Sequence, residues 1–376
     1  TLFRVGFLFL ILFFTTTAKA QKEAETFNVD STLYEYYQRC QEYLLEPVVL
    51  NMSDTLFRMA GERQDERMQA VAIATQLDYY YFQGTNEDSV IHYTNKVKEF
   101  AKATHQPKYY YFAWANRLIT YYLKTSRTNI ALYEVQNMLK EAQEEDDKTG
   151  LSRCYNIMSQ IYTIKRFDSM AFEWRLKEIE LTEKYKIENY NISQTYAQIA
   201  NYYINQKKQK EALAAVEKAI ATANSSTQQI SAKLEFVNYY SKFGDFQAAE
   251  KLLKECQAAF EQDKRLESIK KRLYNIECLY YQQTKQYQKA LEAAKMQEKE
   301  ERRLSESILS SIHYRTQGEI YQKMGNMNLA VKYLQMYINT DDSLKIANEQ
   351  VSSSEFATLL NVEKLNAEKK ELMLQA

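Results

Sequence analysis

The stretch Leu234-Glu-Phe-Val-Asn-Tyr-Tyr-Ser-Lys-Phe-Gly-Asp-Phe-Gln-Ala-Ala-Glu-Lys-Leu-Leu253 decides the fold. Leu234, Val237 and Tyr240 recur every third residue and so share one face of a helix. Gly244 then supplies a left-handed stop, because a residue without Cβ enters that conformation at little cost. Asp245 follows as an N-cap for a second helix, whose Ala249, Leu252, Leu253 and Cys256 form another apolar stripe. Two amphipathic helices joined by so short a turn fold back on each other as a helical hairpin.

The same pattern recurs along the chain. Similar units centre on Ser89, Ala131, Ala171, Ala212, Ala249, Ala290 and Ala330, at separations of 42, 40, 41, 37, 41 and 40 residues. A fixed period of this length marks a stacked array, in which each hairpin buries its apolar face against its neighbours. The units resemble the tetratricopeptide repeat. Its small eighth-position residue appears as Ser159, Ala200, Cys278 and Gly318. Its eleventh-position aromatic appears as Tyr80, Tyr122, Tyr162, Tyr203, Tyr240, Tyr281 and Tyr321, and its twentieth-position alanine in six of the seven units, with Ser89 the exception. Alanine lets paired helices approach closely, and the large ring fills the space beside it. The resemblance implies an all-α, right-handed superhelical solenoid of seven to eight hairpins. The units depart from the family in their period, near 40 rather than 34 residues, and in lacking the closing proline. The array is expected over 69–345. Residues 21–68 precede it as a degenerate terminal hairpin, with Leu33, Tyr36, Tyr37, Cys40, Tyr43 and Leu44 on one helix, and Val49, Met52, Leu56 and Met59 on the next after Pro47.

Composition excludes most alternatives. Of 376 residues only 7 are Gly and 2 are Pro, against roughly 12 per cent in an average protein. Barrels, sandwiches and nucleotide-binding α/β folds all depend on glycine turns. Disorder is opposed by a hydrophobic content of 45% and an aromatic content of 13%. Basic and acidic residues number 49 each, so no net field favours nucleic acid. The runs Tyr79–Phe82 and Tyr109–Phe112 fall at packing positions, so stacking on bases is the weaker reading.

No catalytic constellation is present. His92, His105 and His313 stand singly, without metal-ligand spacing, and no glycine-rich phosphate loop or G-x-S-x-G occurs. The expectation is a non-enzymatic chain that needs no cofactor and no metal. Cys40, Cys154, Cys256 and Cys278 form no C-x-x-C pair and read as small buried residues, with a Cys256–Cys278 bridge left open.

The two ends carry different signals. Arg4, the apolar run Val5–Phe14 and Ala18-Lys19-Ala20 make up a secretory leader over residues 1–20. Ten apolar residues reach about 15 Å as a helix, too short for a roughly 30 Å membrane core. Removing the leader takes away Arg4 and Lys19, leaving 47 basic residues against 49 acidic. At the other end, 346–376 reads as a connector helix. Ser352 caps it, Phe356, Leu359, Leu360, Val362, Leu365, Leu372 and Leu374 line it, and no stop signal follows. Truncation of a longer protein and a frayed terminal cap both fit this pattern.

The resemblance places positions two, five, nine and twelve of each first helix on a concave face. There the sequence sets Asn116, Arg153, Asn156, Gln160, Gln194, Asn201, Asn238, Arg272, Asn275, Gln282, Arg315, Glu319 and Gln322, a set rich in amides and arginines. An amide both donates and accepts, which suits an extended peptide backbone, and an arginine fork suits a carboxylate. The partner is therefore expected to be a protein or extended peptide on Asn156, Asn201, Asn238 and Asn275. Gln160 lies beside them, and Arg153, Arg272 and Arg315 would meet acidic groups. Ordinary solvated polar residues are the competing reading. The fifth-position lysine of the family's carboxylate clamp is absent.

Leader, array and connector together resemble the periplasmic repeat region of bacterial sensor histidine kinases and regulators. That resemblance implies an exported sensory module, with membrane contact only through a downstream segment and homodimer formation through the connector helix. A freestanding exported scaffold for an envelope complex is the alternative. A repeat protein that accompanies an enzyme is a third.

Overall fold

The computed structural model describes residues 29–304, apart from 85, 188 and 190, and residues 312–343. The segments expected to be a leader (1–20) and a connector helix (346–376) lie outside the described residues. Among those described, regular structure is helical and no strand occurs. The chain divides into two compact units, residues 1–161 and 162–376.

In the first unit α1 (Ser31–Glu42) and α2 (Val48–Glu62) form a hairpin, followed by α3 (Glu66–Gln83) and α4 (Glu87–Ala103). The helix starts follow from side-chain caps. Asp30 accepts from Leu33 N at 3.1 Å, Asp65 from Met68 N at 2.9 Å, and Asn86 from Ser89 N at 2.9 Å. Leu33, Cys40, Val49, Leu56, Ala60, Met68 and Ala72 make the terminal core. Tyr43 and Leu44, expected on α1, lie beyond its end, and Tyr43 is exposed.

The next first helix is broken in character. α5 (Pro107–Tyr111) passes into a π-helical stretch (Phe112–Ile119) and then α6 (Thr120–Lys124), before α7 (Thr128–Glu144). A π turn accommodates an additional residue in a helix. The structure also corrects one repeat position. The alanines Ala131, Ala171, Ala212, Ala249 and Ala290 are each the fourth residue of their helix; in α4 that place belongs to Val90, fully buried, not to half-exposed Ser89.

α8 (Lys148–Ile164) carries the chain across the division and leads to α9 (Asp168–Tyr185). The second unit continues with the pairs α10 (Ile192–Asn205) and α11 (Gln209–Ala221), then α12 (Ser226–Phe243) and α13 (Phe246–Gln262). A 3-10 turn (Lys264–Ile269) precedes α14 (Lys270–Gln283) and α15 (Tyr287–Leu304), and α16 (Ile312–Lys323) is followed by helical residues 327–343. First helices serve two cores at once. α12 gives Ala232 and Tyr239 to one cluster and Leu234 and Val237 to the next; α14 gives Leu273, Ile276 and Tyr280 to that one and Cys278 to the one beyond. All four cysteines are buried free thiols, so Cys256 and Cys278 are not bridged. They belong to successive clusters, as small apolar side chains do.

The hairpin turns share one device. The carbonyl of the eleventh-position tyrosine accepts from the backbone N–H five residues on: Arg127 N to Tyr122 O at 2.8 Å, Lys208 N to Tyr203 O at 2.9 Å, Asp245 N to Tyr240 O at 3.0 Å and Gln286 N to Tyr281 O at 2.8 Å. This closure needs one left-handed residue. Gly244 takes that place with φ 90°, but Ser126, Arg166, Lys207 and Lys285 hold it at φ 57–62° despite their side chains. The low glycine count is thus compatible with a turn-rich array.

Candidate functional site

The amides singled out in the second unit converge. Asn201 on α10, Asn238 on α12 and Asn275 on α14 line one cleft of about 270 Å³, together with Asn205, Ser241, Lys242, Leu279 and Gln283. In tyrosine register Asn201 and Asn238 are ninth-position residues and Asn275 a fifth-position one. Asn201 to Asn238 and Asn238 to Asn275 are both 37 residues, and α14 lines the cleft over successive turns with Asn275, Leu279 and Gln283.

A larger cleft of about 460 Å³ opens at the N-terminal ends of the same helices. Gln194, Ser231, Arg272 and Asn275, at second and fifth positions, contribute to its wall, with Gln228 and Lys271 beside them. Ser193 Oγ donates to the carbonyl of Ala219 at 2.7 Å, tying the start of α10 to the end of α11. That fixes one edge of the cleft.

Most of the expected contact groups already have partners within the chain. Asn238 is 7% exposed and donates through Nδ2 to Glu235 Oε2 at 3.3 Å. Arg272 donates through Nη2 to Glu235 Oε1 at 2.6 Å. Asn205 Nδ2 donates to Asn201 Oδ1 at 3.0 Å. These pairings arise because residues one helical turn apart, or on neighbouring first helices, are within reach of one another. Asn201 and Asn238 are therefore held in fixed orientations, and Asn238, expected on the open face, is largely covered.

The remaining residues stand elsewhere. Arg315 on α16 is exposed, lines neither cleft, and donates to Glu319 Oε1 at 2.8 Å; that carboxylate holds the guanidinium's proton more firmly than usual. In the first unit, α8 carries Arg153, Asn156 and Gln160. Gln160 Nε2 donates to Asn156 Oδ1 at 2.7 Å across one turn.

Sequence reasoning missed two members of this face. Glu235 is a sixth-position residue, buried at 4% exposure, and its position gave no hint that it would hold an arginine of the next hairpin. Lys271 adjoins Arg272 and was hidden by lying one residue off the expected position. Among the described residues no three metal-ligating side chains cluster, and no helix is long and apolar enough to cross a membrane. His313 is buried on α16 and His92 lies exposed on α4.

No family model matches the chain, and no curated protein matches it. Solved structures do. The apo form of the quorum sensor NprR from B. thuringiensis aligns with a TM-score of 0.53 at 13% identity, covering 85% of this chain and 91% of that one. A Rap protein complexed with Competence and Sporulation Factor aligns at 0.49 and 13% identity, over 90% and 99% of the two chains. A tetratricopeptide repeat protein from Parabacteroides merdae aligns at 0.43 and 13%, over 86% and 99%. The fold is that of a tetratricopeptide-like helical-hairpin array. At such identities the likeness extends to the fold alone.

Proposed function

We propose that the chain is a non-catalytic module that binds an extended segment of a partner protein along the first helices of its second unit. The observation that carries this reading is the meeting of Asn201, Asn238 and Asn275, from three successive hairpins, in one cleft. Asn201 and Asn238, already held by neighbours, lose little side-chain freedom on meeting a peptide backbone, which favours binding. The quorum sensor that shares the fold is a precedent for a sensing role. Together with the leader at 1–20, this supports the extracytoplasmic sensory region of a bacterial membrane signalling protein. A freestanding exported scaffold would use the same face.

The test is replacement of Asn201 and Asn275 by Ala, with affinity for peptides selected on the wild-type chain read by fluorescence anisotropy. Each lost backbone hydrogen bond is expected to cost about 1 kcal/mol, near a fivefold loss per residue, with helicity unchanged. Affinity equal to wild type in the double variant would remove the face from consideration.

A further inference from the structure

The two clefts share an unusual charge inventory. Lys242 lines the smaller one, Lys271 and Arg272 line the larger one, and no Asp or Glu is among the lining residues of either. The carboxylate that governs this region is Glu235, which lines neither cleft. It lies behind them at 4% exposure, bound to Arg272 Nη2 at 2.6 Å and to Asn238 Nδ2 at 3.3 Å.

That arrangement constrains Arg272 without exhausting it. A guanidinium has five N–H donors in one plane, and the bond to Glu235 engages Nη2. That bond anchors one corner of the guanidinium in the protein, and the side chain, 25% exposed, remains on the wall of the larger cleft. Releasing Glu235 would leave a buried carboxylate short of a partner, so the anchor is expected to persist when a ligand binds. Nε is buried without a partner among the described residues, so a second carboxylate would be received at Nη1, while Glu235 partly offsets the positive charge that attracts it.

We propose that Glu235 is the specificity-determining residue of this face: it positions Arg272 to receive an acidic side chain of the bound segment and moderates the attraction to it. This inference rests on the peptide-binding reading above and names the partner's chemistry, an extended segment with an Asp or Glu that reaches the larger cleft while its backbone follows the asparagines. Lys271 stands beside the same position and adds to the field. Glu235 acts through Arg272 and is a positioning residue.

The experiment is selection of random twelve-residue peptides on the full chain, followed by resynthesis of each enriched peptide with its acidic residues replaced by the matching amides. The readout is the affinity ratio of acidic to amide peptide, which a purely structural role of Glu235 would not move. In the wild type the ratio is expected to be about tenfold, the worth of one charge-assisted hydrogen bond. In Arg272→Gln it should fall toward one; in Glu235→Gln, which keeps an acceptor for Arg272 but removes the opposing charge, it should rise and become more sensitive to salt. Arg272→Lys, which keeps the charge and loses the fork, is the second variant if Arg272→Gln loses helicity, and it should give an intermediate ratio. Enriched peptides without acidic bias, a ratio unmoved by either Arg272 variant, or a ratio unmoved by Glu235→Gln overturn the proposal while leaving peptide binding intact. Failure to enrich any peptide overturns both.

Discussion

Lys98 on α4 shows what a single side chain costs and contributes in this array. Its Nζ lies 3.1 Å from the centroid of the Trp114 ring, and Trp114 Nε1 donates to Glu134 Oε2 at 2.8 Å. Burial lowers its pKa to about 8, because a charged ammonium loses hydration there; Glu141 and Glu134 oppose the shift without cancelling it. Below pH 8 both folded and unfolded chains carry the charge, and the folded state bears the full penalty. Between pH 8 and the unfolded value near 10.5 the unfolded chain binds more protons, so this group's penalty fades as pH rises. Lys98→Met keeps the stem against Trp114 and removes the charge. It is expected to stabilise the protein by about 1 kcal/mol at pH 7, allowing for partial exposure. The gap from wild type should close between pH 8 and 10.5 in thermal melts, and a gap independent of pH would show that desolvation of Lys98 is not the cause. Close packing has its own signature nearby. A Cβ on Gly150 would sit 2.3 Å from the Tyr111 ring, so α8 can approach α5 only where a side chain is missing.

Hairpin turns decide how much of each element's stability is local. Lys207 at φ 57° and Lys285 at φ 60° hold left-handed conformations that cost an L-residue roughly 1–2 kcal/mol, while Gly244 at φ 90° occupies the equivalent place without that cost. Lys207→Gly and Lys285→Gly should each stabilise the folded state by about 0.5 kcal/mol, since greater freedom in the unfolded chain offsets part of the gain. Gly244→Ala should destabilise it by about 1 kcal/mol. Urea denaturation midpoints at constant slope check both directions; a Lys207→Gly midpoint below wild type would mean the turn is held by the lysine side chain. The elements themselves were largely legible in the sequence. The stop at Gly244 and the cap at Asp245, which accepts from Ala248 N at 3.0 Å, follow from local chemistry alone. The one-residue misplacement at Ser89 was not legible. Backbone register after the Gly84 turn depends on where the following helix starts, and only the Asn86 cap fixes that.

Across the whole molecule, the leader expected at 1–20 and the proposed sensory role share a consequence that can be measured without knowing the ligand. Alkaline phosphatase, active only after export, fused after residue 343 should be active in a Gram-negative host and inactive once residues 1–20 are deleted. Activity confined to neither fusion, or cytoplasmic retention of the full chain, would exclude an extracytoplasmic role. The sequence by itself determined the class of fold and its period, because burying a 3.6-residue apolar stripe next to a small residue is a local requirement repeated in each hairpin. It also assigned the candidate amides and arginines to the first helix of each hairpin, from their place in the repeat. Only the tertiary structure decided what those side chains touch. That Asn238 is covered, that Arg272 is anchored by Glu235, and that Asn275 joins Asn201 and Asn238 in one cleft all depend on how successive first helices are spaced. A repeat pattern fixes direction within one helix; contacts across three helices depend on how the packed cores between them set their separation, and no single segment encodes that.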